Sequence, residues 1–238
     1  MRPAKLFDGV EKHLTVMVAG MGNNGTLYSS NYFRWKAEYR DYLFDSIQYV
    51  GIGNDLLHNG SIPKINSKIS KSIFTKLLSG GIIGLSTVPT SKHIVYHTRK
   101  LRYFLQFLDY APKIYEEDGS IRETSELKQL HFETDRERLV ANAVYLSTLF
   151  FWYYISYSDC RNLNKREVIT FPYRFSDANE KELSTLAALS ERILKNLQEN
   201  STFLEANYAQ YGLLKMQIFK PKLSKPIADE IDTILARH

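Results

Sequence analysis

Residues 139–175, LVANAVYLSTLFFWYYISYSDCRNLNKREVITFPYRF, pass from an apolar run through a compact polar cluster into a second apolar run. Apolar residues recur at helical intervals from Leu139 to Tyr153, and this spacing predicts one long buried helix. Residues 167–171 follow the cluster and predict a strand. The cluster between them carries more hydrogen-bond donors than a turn needs, so we expect it to take part in recognition.

The polar cluster combines the side chains that proteins use to contact nucleic acid. Arg161, Asn162 and Asn164 offer the donors that read base edges, while Lys165 and Arg166 offer positive charges for phosphates. Asp159 is expected to bond its own backbone and so to shape the loop between helix and strand. The alternative is that the whole cluster is structural and only builds this loop.

The charge of the chain is unevenly distributed. The net charge is only +5, but the 53 residues from Leu56 to Leu108 contain no Asp or Glu and eight Lys or Arg. The average composition would place about six acids in a stretch of this length. A polyanion is the natural partner of such a tract, because each neutralised phosphate releases counterions. Alternatively, the acid-rich residues 116–137 balance these charges on the folded surface.

The acid-free tract ends in a segment that interleaves cations with aromatic rings. Its arginines and lysine can contact guanine or phosphate, and its rings can pack on sugars or bases. The candidate DNA-contacting residues in this part of the chain are Lys92, His97, Arg99, Lys100, Arg102 and Tyr103.

The N-terminal part contains a glycine pattern with two interpretations. Residues 14–19 are β-branched and apolar and predict a buried strand, and the following GMGNNG of residues 20–25 matches a dinucleotide-binding fingerprint literally. The residues after Gly25 favour extended chain rather than a helix, and Asn24-Gly25 is a preferred hairpin pair. We therefore expect a hairpin, with a cofactor loop as the alternative. A helix is predicted around residues 36–47.

No catalytic or metal-binding site is predicted in this chain. His93 and His97 are four residues apart, but the residues between them look extended and no third ligand is evident. Cys160 is the only cysteine, which fits a reducing compartment, and no nucleophile motif surrounds it.

We expect a cytoplasmic protein without a membrane partner, and we interpret the apolar run 139–157 as a core helix rather than a transmembrane span.

The C-terminal part is predicted to be helical. Asp177 with Glu180 is a capping signature, and leucines and isoleucines from Leu183 to Leu197 form one stripe over several turns. Ser224 is expected to cap a last helix that has Pro226 in its first turn.

Two stretches resemble adenine-specific DNA methyltransferases of the restriction-modification type, related to the TaqI-like and type IIG enzymes. RPAKLFDGVEKHLTVMVAG and the following TLYSSNYFRWKAEYRDYLFDSIQYV resemble the region after their catalytic Asn-Pro-Pro-Tyr motif, where a hairpin closes the catalytic sheet. SDCRNLNKREVITFPYRF and the helix after it look like their target-recognition domain, which is similar to type I specificity subunits. Neither Asn-Pro-Pro-Tyr nor the family's glycine-rich S-adenosylmethionine motif occurs in these residues.

The resemblance implies an α+β protein in three parts. These are a remnant of the methyltransferase sheet with a β-hairpin (1–55), a mixed α/β specificity domain (56–175) and a helical C-terminal region with long helices (176–238). It implies sequence-specific binding of double-stranded DNA, a separate N-terminal catalytic half or partner subunit, and no cofactor in this chain, since S-adenosylmethionine would bind the full-length enzyme. The alternatives are a protein-interaction module like a type I specificity subunit and a small stand-alone methyltransferase.

Overall fold

The computed structural model describes residues 15–18, 27–100 and 104–237. Within these ranges the chain forms six α-helices and nine β-strands, which makes it a mixed α+β protein as predicted. The helices are α1 (Lys68–Leu78), α2 (Asp135–Tyr145), α3 (Thr148–Tyr157), α4 (Lys165–Ile169), α5 (Glu180–Glu199) and α6 (Lys225–Leu235). The strands are β1 (Leu27–Ser29), β2 (Val50–Ile52), β3 (Thr87–Val88), β4 (His93–Thr98), β5 (Phe107–Leu108), β6 (Ile114–Tyr115), β7 (Leu127–Phe132), β8 (Thr202–Tyr208) and β9 (Gly212–Ile218).

The described strands form three antiparallel sheets. β1 pairs with β2, the central sheet has the order β3-β7-β4-β5, and a third sheet has the order β6-β9-β8. In the central sheet Val95 lies opposite Leu130, and both side chains are buried. The alternation of buried and half-buried residues along β4 is the period of a strand with one face on the core.

One hydrophobic core runs from Val50 to Leu235 and includes residues on both sides of the boundary proposed between residues 175 and 176. The predicted stripe of α5 is confirmed, because Leu186, Leu189 and Ile193 are buried in it. α2 packs along α5, and α6 packs on both. The C-terminal helices therefore complete the same core that supports the central sheet.

The apolar run 139–157 forms two helices instead of the predicted single one. The chain bends by 65° between α2 and α3. Ser147 stops one helix and starts the next, since its Oγ donates to the carbonyl of Val144 at 2.6 Å and accepts from the amide of Phe150 at 3.0 Å. The carboxylate of Asp232 accepts from the amide of Thr148 at 2.9 Å. No single helix in the described ranges is long and apolar enough to cross a bilayer, although the bent pair together has the length and composition.

The N-terminal part differs from the prediction where it is described. Residues 15–18 form no strand, and Met17 and Val18 are 87% and 91% exposed, because no described strand lies beside them to pair with. The helix predicted around residues 36–47 is only a short 3-10 helix, Ala37–Tyr42. The predicted Asn24-Gly25 hairpin and the alternative cofactor loop lie outside the described residues.

The C-terminal part contains its predicted helices and, in addition, a hairpin of β8 and β9 that helical periodicity does not reveal. α5 is capped by Asn179 and Glu182 rather than by Asp177 and Glu180, as the amide of Asn179 donates to Glu182 at 3.1 Å. Ser224 precedes α6 but does not cap it; its hydroxyl donates to Asn196 Oδ1 at 2.8 Å and so ties α6 to α5.

Candidate nucleic-acid interface

The fold brings the two predicted basic segments together. The amide of Leu163 donates to the carbonyl of Arg99 at 2.8 Å, and Lys100 and Asn162 form an isolated antiparallel bridge. The end of β4 and the polar loop after α3 therefore lie side by side, although they are far apart in the sequence. Arg99 and Arg161 are both exposed at this junction.

Asp159 shapes the polar loop as predicted. Its Oδ1 accepts from the amides of Arg161 and Asn162 at 2.8 and 2.9 Å, and its Oδ2 accepts from the side-chain amide of Asn162 at 3.2 Å. Cys160 lies between them with a positive φ of 55°, which an L-residue adopts only when its surroundings hold it there. The hydroxyl of Tyr154 on α3 donates to the carbonyl of Asn162 at 3.2 Å. The loop is thus fixed to the buried helix beneath it.

We expect Asp159→Ala to loosen this loop without unfolding the protein. Hydrogen bonds to a charged acceptor contribute more than neutral ones, so the amides of Arg161 and Asn162 should exchange with solvent at least about tenfold faster. Hydrogen exchange followed by NMR measures this directly. Asp118→Ala is the matched control, because Asp118 accepts from the amide of Ser120 at 2.9 Å in a different turn. Unchanged protection at residues 161 and 162 would contradict the shaping role.

The strand predicted for residues 167–171 is instead the short helix α4. Glu167 is only 2% exposed, and its Oε2 accepts from the amide of Asn164 at 2.9 Å, which closes the first turn. The guanidinium of Arg166 donates to Glu167 Oε1 at 2.9 and 3.2 Å. Arg166 is therefore held by a buried carboxylate, and Asn164 begins a helix.

The remaining cations of the cluster differ in their availability. Lys100 pairs with Glu126 at 3.3 Å but stays 71% exposed, and such surface pairs contribute little stability, so a phosphate can compete for this ammonium group. Glu126 belongs to the acid-rich stretch 116–137, which thus balances one charge of the basic tract. Arg99, Arg161 and Lys165 are exposed and form no ion pair with another described residue.

Of three other predicted residues, one lies away from this junction and two lie outside the described residues. Lys92 is exposed at the opposite end of β4 from Arg99, and six residues of strand separate them by about 20 Å. Arg102 and Tyr103 lie outside the described residues.

His97 lies beneath the surface instead of on it. Its side chain is 2% exposed, and its ring packs against Phe107 with the centroids 5.5 Å apart. Burial, with a smaller effect of Lys128, lowers the pKa of His97 to about 4. The ring is neutral at physiological pH and supports the sheet under Arg99, so we assign it no direct contact.

Acidification should destabilise the fold through His97. The folded chain keeps this ring neutral down to a pKa of about 4, whereas the unfolded chain takes up the proton near pH 6.5. Because the unfolded state binds more protons between these values, the free energy of unfolding should fall by about 2 kcal/mol from pH 7 to pH 5. Urea unfolding at both pH values measures this loss. An equal loss in His97→Gln would contradict the assignment.

Two basic residues near the loop were not predicted as site residues. Lys64 donates from its Nζ to the carbonyl of Ser158 at 2.6 Å, and burial lowers the pKa of this ammonium group. Burial raises the pKa of the Cys160 thiol, and the positive charge of the nearby Arg34 partly opposes this rise. Lys64 belongs to the acid-free tract, but its contact with the loop depends on the tertiary fold and leaves no local pattern.

The arrangement of exposed cations suits the binding of an anion. No group of three or more His, Cys, Asp or Glu side chains that could hold a metal ion occurs in the described ranges. His93 instead faces Asp135, with Nδ1 and Oδ1 3.4 Å apart. The junction offers exposed guanidinium and ammonium groups on a rigid backbone, which is the chemistry of anion recognition. No family model, curated protein or solved structure matches this chain.

Proposed function

We propose that this chain is the target-recognition part of an adenine-specific DNA methyltransferase of a restriction-modification system and binds duplex DNA sequence-specifically. The observation that carries the proposal is the contact between residues 99–100 and 161–163, which places exposed Arg99 and Arg161 on one surface. We name the exposed side chains of Arg99, Lys100, Arg161 and Lys165 the basic junction.

The basic junction has the two properties that sequence reading requires. Arginine can bind guanine through two parallel hydrogen bonds, and lysine can hold the backbone phosphates that fix the register. The backbone beneath these side chains is held by Asp159, Leu163 and Tyr154. A preorganised backbone limits the entropy that is lost when long side chains dock, so more of the contact energy remains for binding.

The N-terminal part supports the existence of a catalytic partner domain or subunit. Its side chains Tyr28, Tyr39, Tyr42, Phe44 and Tyr49 are each between 56% and 68% exposed. β1 and β2 pair over only three residues each, and a sheet of two short strands is marginal alone. In the proposal, this region adds to the sheet of a catalytic part that supplies the base pocket and binds S-adenosylmethionine.

Selection of bound duplexes from a random pool tests the proposed function. The chain should enrich one recurring sequence, and its affinity should fall steeply with salt, since each phosphate contact contributes a slope of about −0.9 in log K against log salt. A pool that stays random after repeated selection would overturn sequence-specific binding.

Calorimetry with S-adenosylmethionine distinguishes the proposed function from a stand-alone methyltransferase. Binding of S-adenosylmethionine by this chain alone would favour the stand-alone methyltransferase.

A further inference from the structure

β8 presents an open edge. It pairs with β9 in continuous register over all seven of its residues, and it is the outermost strand of its sheet. No other described residue forms a backbone hydrogen bond with residues 202–207. Half of the backbone donors and acceptors of this strand therefore point away from the sheet without a protein partner in the described ranges.

The sequence of β8 has only one of the features that normally protect an edge strand, the charged side chain of Glu205. Residues 202–208 read TFLEANY, with no lysine, no proline and no bulge. Phe203 and Leu204 are 42% and 46% exposed, and they lie on opposite faces because successive side chains alternate. A long edge with apolar side chains on both faces and a single charge is a template for the addition of a strand of matching charge.

The face that carries Phe203 is acidic beside this edge. A cavity of about 430 Å³ is lined there by Tyr115, Glu116, Glu117, Gly119, Glu205, Leu213 and Lys215. Glu116 is paired with Arg122 at 2.8 Å and Glu205 with Lys215 at 3.6 Å. Glu117 forms no ion pair with any residue in the described part of the chain. Two of the three carboxylates in the lining are thus already paired with cations, and the negative charge of Glu117 remains to favour a cationic side chain in the cavity.

Pairing in full register with a second copy of this chain is disfavoured at the edge. Antiparallel pairing of β8 with itself over all seven residues would place Glu205 directly opposite Glu205, and like charges in that position are destabilising. A strand with Lys or Arg at the same position would gain an opposite-charge pair instead. The charge at the centre of β8 thus selects against self-association and for a basic strand.

We propose that β8 is a docking edge for an extended segment of a different protein that carries Lys or Arg at alternate positions. The segment adds to the sheet beside β8, its backbone bonds to the open edge, and its cations face Glu205 and the acidic cavity. This interaction is independent of DNA binding at the basic junction.

Model peptides test the docking edge. The probe is acetyl-Lys-Val-Lys-Val-Lys-Val-amide, with a labelled end for fluorescence anisotropy and hydrogen exchange to report the amides of residues 202–208. This peptide should bind and slow exchange along β8. The same peptide with Glu for Lys should bind more weakly by about twofold to fivefold for each opposed pair. Methylation of its backbone nitrogens should abolish binding, since main-chain bonds carry strand addition.

Charge reversal on the protein gives the matched test. Glu205→Lys should reverse the preference in favour of the acidic peptide, while Glu191→Lys, on the exposed face of α5, should leave it unchanged. The proposal is overturned if the two peptides bind equally, if the methylated peptide binds as well as its parent, or if exchange along β8 does not change. It is also overturned if sedimentation shows a dimer of this chain with β8 protected.

Discussion

The double variant Arg99→Gln with Arg161→Gln should bind its DNA target at least about thirtyfold more weakly than the wild-type chain, because each lost arginine contact to a base costs about 1–3 kcal/mol. Both side chains are exposed, and the backbone segments that carry them meet where the amide of Leu163 donates to the carbonyl of Arg99. Neither forms an ion pair with another described residue, so their removal should leave the fold stable.

A matched control separates this effect from a loss of overall charge. Lys181→Gln with Lys195→Gln also removes two positive charges, but both residues lie on the exposed face of α5. This control should change affinity by less than about threefold at physiological salt, where exposed charges beyond a Debye length are screened. Equal losses of affinity in the two double variants would mean that DNA binding depends only on the net charge of the chain.

The fold should depend heavily on Phe150. Its side chain is fully buried, and its ring lies 5.1 Å from the rings of both Tyr145 and Phe171 and 5.5 Å from that of Phe107. Phe150→Ala removes these contacts and leaves a cavity, so the free energy of unfolding should fall by about 3–5 kcal/mol. Urea unfolding followed by circular dichroism measures the change.

The neighbouring phenylalanine provides the control for this substitution. Phe151 lies on the same helix but is 44% exposed, so Phe151→Ala should cost less than about 1.5 kcal/mol. A similar loss in both variants would show that helix propensity, rather than the aromatic cluster, determines the stability of α3. A small loss in Phe150→Ala would mean that the cluster repacks around the cavity.

The sequence predicted the elements whose pattern is local. α5 follows from apolar residues at helical spacing, α6 from Pro226 in its first turn, and β4 from the extended residues between His93 and His97. The break between α2 and α3 was not predicted, because the helical spacing continues across Ser147, and the bond from the amide of Thr148 to Asp232 comes from the end of the chain. Glu167 is different, because its bond to the amide of Asn164, three residues earlier, is a local signal of a helix start that the prediction of a strand overlooked.

The candidate site was predictable in its residue types but not in its assembly. Asp159 has the spacing of a residue that bonds its own backbone, and the structure confirms this. The contact of Arg99 with Leu163, the position of Lys64 under the loop and the burial of His97 all depend on distant parts of the chain. No pattern within a short window carries that information.

Acetylation footprinting of lysines in the wild-type chain tests the basic junction most directly. With bound duplex DNA, Lys100 and Lys165 should be acetylated several-fold more slowly than in the free chain, because phosphates occupy their ammonium groups. Lys181 and Lys195 on α5 should react at the same rate with and without DNA. Protection of the α5 lysines, with Lys100 and Lys165 unchanged, would place the DNA on another surface and contradict the account.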